Sequence, residues 1–324
     1  MRFSTVGTGN IVEKMINGGK LCEDFELYGV YSRSEERGSA FAKRFGASGV
    51  FTDFKALAES KTDAVYIASP TALHYKQAKF LLMHKKHVLC EKPACSNFFE
   101  LDDLLNTAER NKVIYLEAMR PVFSPGYAWI KENLHKIGKI RHAVFTYCQY
   151  SSRYDNFKNG IIENAFKSEL SNGSLMDIGV YPLHLAVSLF GKPAEVHSNA
   201  IILDKSIDGC GSAVLKYSDF ITVVNYSKIS DSKLPCEIQG ENGTMLFSPA
   251  GTPVKAEIRY RNGEIEEADI QTLDWDLFYE IQAFCDMVAG KRDYKEYNQY
   301  TSDTIQLMDF IRRQCEITFP ADKF

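Results

Sequence analysis

The chain lacks most of what would send a protein of 324 residues to a membrane, a nucleic acid or an oxidising compartment. No apolar run approaches 18 residues, which argues against a membrane span. Neither sign of charge dominates: the net charge is −4, with no basic footprint for nucleic acid and no polybasic patch for a lipid surface. The eight cysteines stand at 22, 90, 95, 148, 210, 236, 285 and 315, without a CxxC pair or zinc spacing. Free thiols in a reducing, cytoplasmic setting are expected, and no metal. Strand-like Ser4-Thr5-Val6 leaves no room for a signal peptide. Internal repeats and low-complexity linkers are also missing. What remains is an ordinary globular composition, 45% hydrophobic and 25% charged, in a chain whose length suits two domains.

The first 118 residues alternate strand and helix patterns. Strands are expected at Arg2 to Val6, at 26–32 (ELYGVYS), at 63–69 (DAVYIAS), at 87–90 and at 112–118. Helical patterns follow the first strand and recur at 34–46, 72–85 and 97–111. Ser34 suits an N-cap and Gly46 a C-terminal stop. Such alternation implies a doubly wound parallel sheet. After residue 120 the pattern changes to one helix over 125–134 and then long β-type runs at 140–151, 194–203, 211–218, 220–229, 236–248 and 256–270. Asn-Gly pairs at 242–243 and 262–263 mark hairpin turns. Helices near 274–289 and 299–314 finish the chain. The reading is an α/β protein: residues 1–120 form a dinucleotide-binding Rossmann domain, and 121–324 an α+β domain with an open, mostly antiparallel sheet.

Chemistry-bearing residues gather where the first-half strands end. Gly7-Thr8-Gly9-Asn10-Ile11 follows the first strand and opens the first helix, the context a dinucleotide loop requires. Gly7 permits the turn, and Gly9 lets the backbone approach a pyrophosphate at the helix N-terminus. The third glycine position is Val12, so the motif is incomplete. The second strand ends in Tyr31-Ser32-Arg33 with no acid for a ribose 2′-hydroxyl. Ser32 and Arg33 suit a 2′-phosphate instead, hence NADP, with NAD possible. The alternative for Arg33 is a solvated loop cation, and Glu35 and Glu36 nearby would repel a phosphate. Ser69, Pro70 and His74 follow the 63–69 strand onto the same rim. His74 is either a cofactor contact or a satisfied histidine at a helix start. Glu91-Lys92-Pro93 ends the next strand, where Lys92 can donate to a substrate hydroxyl and lower a neighbouring phenol's pKa. The plainer alternative is a surface Glu-Lys pair.

In the second half, Asp177, Tyr181 and His184 fall at i, i+4 and i+7 within SNGSLMDIGVYPLH, one face of a helix. Ser174 resembles the first residue of a capping box with a short acid. A solvated face would explain the acid and the histidine, but less well the tyrosine.

With GTGNI at 7–11, HVLCEKP at 87–93, GSLMDIGVYPLH at 173–184, EIQGENGTMLF at 237–247 and YEIQAF at 279–284, the chain resembles the Gfo/Idh/MocA oxidoreductase family over nearly its whole length. YLEAMRPVFSP at 115–125 and the Asp-Tyr spacing are similar to its branch of dimeric dihydrodiol dehydrogenase and NADP-linked xylose dehydrogenases. The resemblance implies oxidation of a secondary alcohol of a sugar, polyol or diol by a nicotinamide cofactor. It implies catalytic roles for Lys92, Asp177 and Tyr181, with Tyr181 as general base facing Lys92. It implies cofactor contacts by Gly7 to Ile11, Ser32, Arg33, Ser69, Pro70, His74, Glu91 and Lys92. Arg120, His184 and the catalytic three are implied substrate contacts. Departures are Val12 for a small residue and Thr71-Ala72 where many members carry asparagine. The expected partners are a carbohydrate-like small molecule and a second copy, as a homodimer or dimer of dimers. Two other readings stay open: a cofactor-binding sensor without turnover, and a redox-neutral lyase using tightly held NAD.

Overall fold

The structure is a computed structural model that describes residues 1–203 and 207–322. The chain divides into two compact units, Met1–Met119 with Leu273–Gln299, and Arg120–Thr272 with Tyr300–Phe324.

The first unit alternates strand and helix: β1 (Arg2–Val6), α1 (Asn10–Gly19), β2 (Glu26–Tyr31), α2 (Glu35–Phe45), β3 (Gly49–Phe51), α3 (Phe54–Glu59), β4 (Ala64–Ile67), α4 (Thr71–Met83), β5 (His87–Glu91), α5 (Phe98–Asn111) and β6 (Tyr115–Ala118). The six strands are parallel in the order β3-β2-β1-β4-β5-β6. That order reverses between β1 and β4, the crevice where doubly wound sheets take ligands. All four β4 residues are completely buried, because helices cover both faces of the sheet. Local signals set the helix ends. Ser34 accepts from the Arg37 N–H, Asp53 from the N–H groups of Lys55 and Ala56, and Asn97 from that of Glu100, while Gly46 closes α2 at φ 84°. The short β3 and α3 carry too little apolar periodicity to stand out in the sequence.

The second unit holds α6 (Pro125–Asn133), β7 (Ile140–Cys148), α7 (Ser152–Lys158), a π-helical turn at Leu175–Gly179, α8 (Val180–Phe190), β8 (Glu195–Leu203), β9 (Ile207–Lys216), β10 (Ile221–Ser227), β11 (Cys236–Gly240), β12 (Gly243–Ser248), β13 (Lys255–Tyr260) and β14 (Ile265–Glu267). Its eight strands run in the order β14-β13-β12-β11-β7-β10-β9-β8. Every neighbouring pair is antiparallel except β7 and β10, which pair in parallel. Ala143, Phe145, Ala213, Leu215, Val224, Ile238, Met245 and Phe247 alternate inward and are buried. On the opposite face Val214 and Ile221 remain exposed and Val144 and Val223 partly so. The stretch Ser168–Phe190 has the length and mean hydropathy of a membrane-crossing segment, which the sequence reading did not anticipate. However, 78% of its most apolar window lies inside the protein.

Helix α9 (Phe278–Val288) lies in a segment that the sequence reading gave to the second domain, yet it packs on α1 of the first unit. A Cβ on Gly18 would lie 2.7 Å from the Phe278 nitrogen, so the bare glycine is what admits the start of α9. Phe284 completes the contact against Phe3, ring centroids 5.9 Å apart. The last helix, α10 (Lys295–Gln314), belongs to the second unit from Tyr300 onward. There Arg312, buried, pairs with Asp309 and Asp322, each at 2.7 Å.

Candidate active site

The residues expected to act fall into two groups, one within each unit. In the first, Gly7 takes φ +117°, and a Cβ there would approach the Ala68 carbonyl oxygen to 3.2 Å. Gly9 differs: a Cβ on it would meet no heavy atom within 4 Å. Packing therefore does not demand a glycine at that position, and the open space beside it leaves room for a ligand to approach the backbone closely. Helix α1 also begins without a side-chain cap, and Gly9 and Asn10 are exposed, with Thr8 and Ile11 half-buried. A bare turn leading into an uncapped helix N-terminus is the cradle a pyrophosphate fits. Val12, at the incomplete motif position, is completely buried and fills the gap between helix and sheet that a small residue would leave.

At the end of β2, Ser32 is buried and its Oγ accepts from the Ser34 N–H at 3.2 Å, so it braces the turn first of all. Arg33 is exposed. So is Arg37, one helical turn further along, a cation the sequence reading passed over although its i+4 spacing from Arg33 was visible. No carboxylate stands on β2 beyond Glu26 at its start.

The ends of β4 and β5 are tied together around Pro93, whose bond to Lys92 is cis. His74 is buried, with Nδ1 3.0 Å from the Pro93 carbonyl oxygen and Nε2 2.7 Å from that of Ser69. Burial pushes its pKa down, and the charge of Lys92 adds to that. It braces the ends of β4 and β5, donating from one ring nitrogen to one of these carbonyls. Ser69 Oγ donates to Gln77, and Pro70 occupies the cap position of α4. Glu91 likewise turns to the protein: its carboxylate accepts from the Tyr66 hydroxyl and from the Lys92 N–H. The next residue is held as firmly, because Ala94 N–H donates to buried Glu117 at 2.8 Å and the Tyr115 hydroxyl donates to the Ala94 carbonyl at 2.8 Å. Tyr115 and Glu117 open the YLEAMRPVFSP stretch of the resemblance, but the sequence assigned neither a role. Together these bonds fix the backbone from which half-buried Lys92 projects.

In the second unit, Arg120 opens a 3-10 turn and is half-buried. Asp177 lies in the π-helical turn and Tyr181 in the first turn of α8. The wider π turn breaks the 3.6-residue period, so the three polar residues do not share one stripe. Tyr181 stays half-buried, its ring 5.5 Å from that of Tyr147. His184 is carried into the core, edge-on to Tyr300, and burial pushes its pKa down to about 3. His184, expected as a substrate contact, is thus buried in the core of this unit. Ser174 is buried in helical backbone and makes no side-chain cap. That task falls to Asp208 of β9, whose Oδ2 accepts from the Leu175 N–H at 2.6 Å. Asp177 Oδ2 is bound by Lys228 Nζ at 2.6 Å, an ion pair nothing in the motif discloses.

An open glycine cradle at the switch point of a 3-2-1-4-5-6 sheet, in one chain with a mostly antiparallel second sheet, defines a class: the two-domain, nicotinamide-dependent oxidoreductases. Residues 1–119 match the oxidoreductase family with NAD-binding Rossmann fold, and residues 131–246 match the GFO/IDH/MocA C-terminal domain. The chain is 44% identical over 326 residues to the scyllo-inositol 2-dehydrogenase (NADP(+)) IolU of Bacillus subtilis, covering 100% of this chain and 99% of that protein. It is 28% identical over 255 residues to a D-xylose 1-dehydrogenase (NADP(+)) of Haloferax volcanii, 77% of this chain and 76% of the other. Among solved structures, the 3-ketoreductase KijD10 of Actinomadura kijaniata, in complex with NADP and TDP-benzene, shares the fold. Its TM-score is 0.86 at 20% identity, over 98% of this chain and 99% of that one. The chain belongs to the Gfo/Idh/MocA family, and it is a nicotinamide-dependent oxidoreductase acting on CH–OH groups.

Proposed function

We propose that this protein is an NADP-linked dehydrogenase of a polyhydroxylated ring, scyllo-inositol or a close stereoisomer, interconverting a secondary alcohol and its ketone. One observation carries the reading. The strand that would hold the adenosine ribose ends without an acid and with Arg33 and Arg37 exposed, in a chain alignable end to end with an NADP-linked inositol dehydrogenase. Gly7 to Ile11 hold the pyrophosphate, and Ser32 with Arg33 and Arg37 the 2′-phosphate. When bound, the nicotinamide supplies the two-electron hydride acceptor. Lys92 donates a hydrogen bond to the reacting hydroxyl. Tyr181 takes the hydroxyl proton, and Asp177 accepts from a neighbouring hydroxyl of the ring.

Two further parts of the reading concern setting. A second copy covers the face carrying Val144, Val214, Ile221 and Val223, giving a homodimer or dimer of dimers in the cytoplasm. Light scattering at micromolar concentration tests the association, and a monomer refutes it.

The test of the function is a panel of inositols, pentoses, hexoses and diols offered with NADP and with NAD, read by reduced-nicotinamide absorbance. Cyclic polyols with NADP are expected to be oxidised fastest. Tight NADP binding without oxidation of any compound would favour a sensor, and product without net nicotinamide change would favour a lyase.

A further inference from the structure

Lys228 follows β10 directly and is only 2% exposed in its side chain. A lysine that deep is unusual, because desolvating an ammonium costs several kcal/mol unless a partner compensates. Packing alone does not explain it. Its Nζ lies 5.1 Å from the centre of the Phe166 ring, and Phe166 belongs to an apolar cluster with Ala165 and Ile207, lined by Tyr154, Phe157, Ile162 and Leu203. A methionine or leucine would fill that space without a charge to satisfy.

The compensation comes from Asp177, whose carboxylate is bound at 2.6 Å while its side chain stays 39% exposed. The pair is uneven, a buried lysine held against a carboxylate that stays partly exposed. Asp208 supplies a second negative charge near the ammonium and, by accepting from the Leu175 N–H, holds the π-helical turn that carries Asp177. The backbone agrees, since the Lys228 N–H donates to the Gly209 carbonyl, next to Asp208, at 2.9 Å, and the Asp177 N–H to that of Gly173 at 3.0 Å.

We propose that Lys228 is a positioning residue for polyol oxidation: its buried ammonium holds the Asp177 carboxylate in the single orientation that receives a hydroxyl of the substrate ring. Lys228 touches no substrate and acts through Asp177. This rests on the function proposed above, in which Asp177 orients the polyol.

The experiment is a double-mutant cycle with Lys228→Met, Asp177→Asn and their combination, measured as kcat/KM for the best polyol, with NADP affinity read separately by fluorescence. Lys228→Met is expected to lower kcat/KM by about 10²-fold, the scale at which a misplaced orienting group is felt. NADP affinity should hold in every variant. The double variant should be no slower than Asp177→Asn alone, since a lysine that works only through Asp177 has nothing left to hold. Lys228→Met with wild-type kcat/KM overturns the proposal. So does a loss that multiplies in full onto that of Asp177→Asn, which marks an independent structural role. Should Lys228→Met fail to fold, the double variant against Asp177→Asn still decides, because a neutral amide leaves no unpaired charge. A wild-type protein inert to every polyol removes the underlying reading and this inference with it. An active wild type indifferent to Lys228→Met removes the inference alone.

Discussion

The two units hold their candidate site side chains by different means. In the first, Lys92 is aimed by groups on neighbouring parallel strands and the turns after them: Tyr66 on Glu91, His74 on Pro93, Glu117 and Tyr115 on Ala94. Tyr66, Glu91 and Glu117 lie toward the carboxyl ends of β4, β5 and β6, where parallel strands bring residues together, while His74 reaches in from α4 and Tyr115 from the start of β6. In the second, Asp177 is paired with a lysine 51 residues later, and Leu175, which opens its helical turn, is capped by an aspartate 33 residues beyond it. One device is a property of sheet topology. The other is a specific long-range pairing in which an apolar cluster accepts a charge. The first should tolerate loss of any single brace, and the second should fail when either charge is removed.

The comparison breaks most sharply at the reactive residues themselves. Lys92→Ala and Tyr181→Phe are each expected to reduce turnover by about 10²-fold or more, the scale of a general acid–base group. Tyr181→Phe should leave NADP affinity nearly unchanged, because the glycine loop lies wholly in the other unit. Steady-state rates together with NADP titration check both statements, and equal loss of coenzyme binding in Tyr181→Phe would contradict the separation. A smaller effect is expected at the end of β2. Arg33→Ala should weaken NADP by about 1–3 kcal/mol, the scale of a charge-assisted bond, and leave NAD nearly unchanged. Adding Arg37→Ala should deepen that selective loss, and equal losses for both coenzymes would remove the 2′-phosphate role.

The smallest effect concerns His184 and is read in stability. Burial holds its folded pKa at about 3, against about 6.5 for an exposed histidine. Between those values the unfolded chain binds the extra proton, so this residue's contribution to stability falls as pH falls through that window and is complete above it. His74 and His87 are shifted in the same direction by burial, so part of the trend survives any single change. His184→Phe, which keeps an aromatic ring beside Tyr300, should flatten the decline in melting temperature from neutral to mildly acidic pH. An unchanged decline would show that His184 takes no part in it.

How much of this the sequence disclosed follows the same division. The parallel sheet, the glycine turn and the Glu-Lys-Pro stretch were legible because strand alternation, φ-permissive glycine and the strand-end rule act over a few residues. The cap at Ser34 and the stop at Gly46 were legible for the same reason. The placement of 278–288 was not, since an amphipathic helix declares an apolar face but not which sheet it covers. At 173–184 the residue types were legible and their geometry was not. The i, i+4, i+7 rule assumed an α-helix where a π turn intervenes, and it put His184 on the reactive face when the core takes it. Lys228 falls within the 220–229 β-type run with no motif to mark it, and only the folded sheet brings it behind Asp177.

In the proposed function Tyr181 is the proton acceptor for polyol oxidation. The most direct measurement is the pH dependence of kcat for polyol oxidation with saturating NADP, in the wild type and in Lys92→Ala, Tyr181→Phe and His184→Phe. The expected rate rises with pH through one ionisation that Tyr181→Phe removes, that persists at lower turnover in Lys92→Ala and that His184→Phe leaves unmoved. A transition near 6.5 that persists in a fully active Tyr181→Phe enzyme would contradict it and return the proton to a histidine.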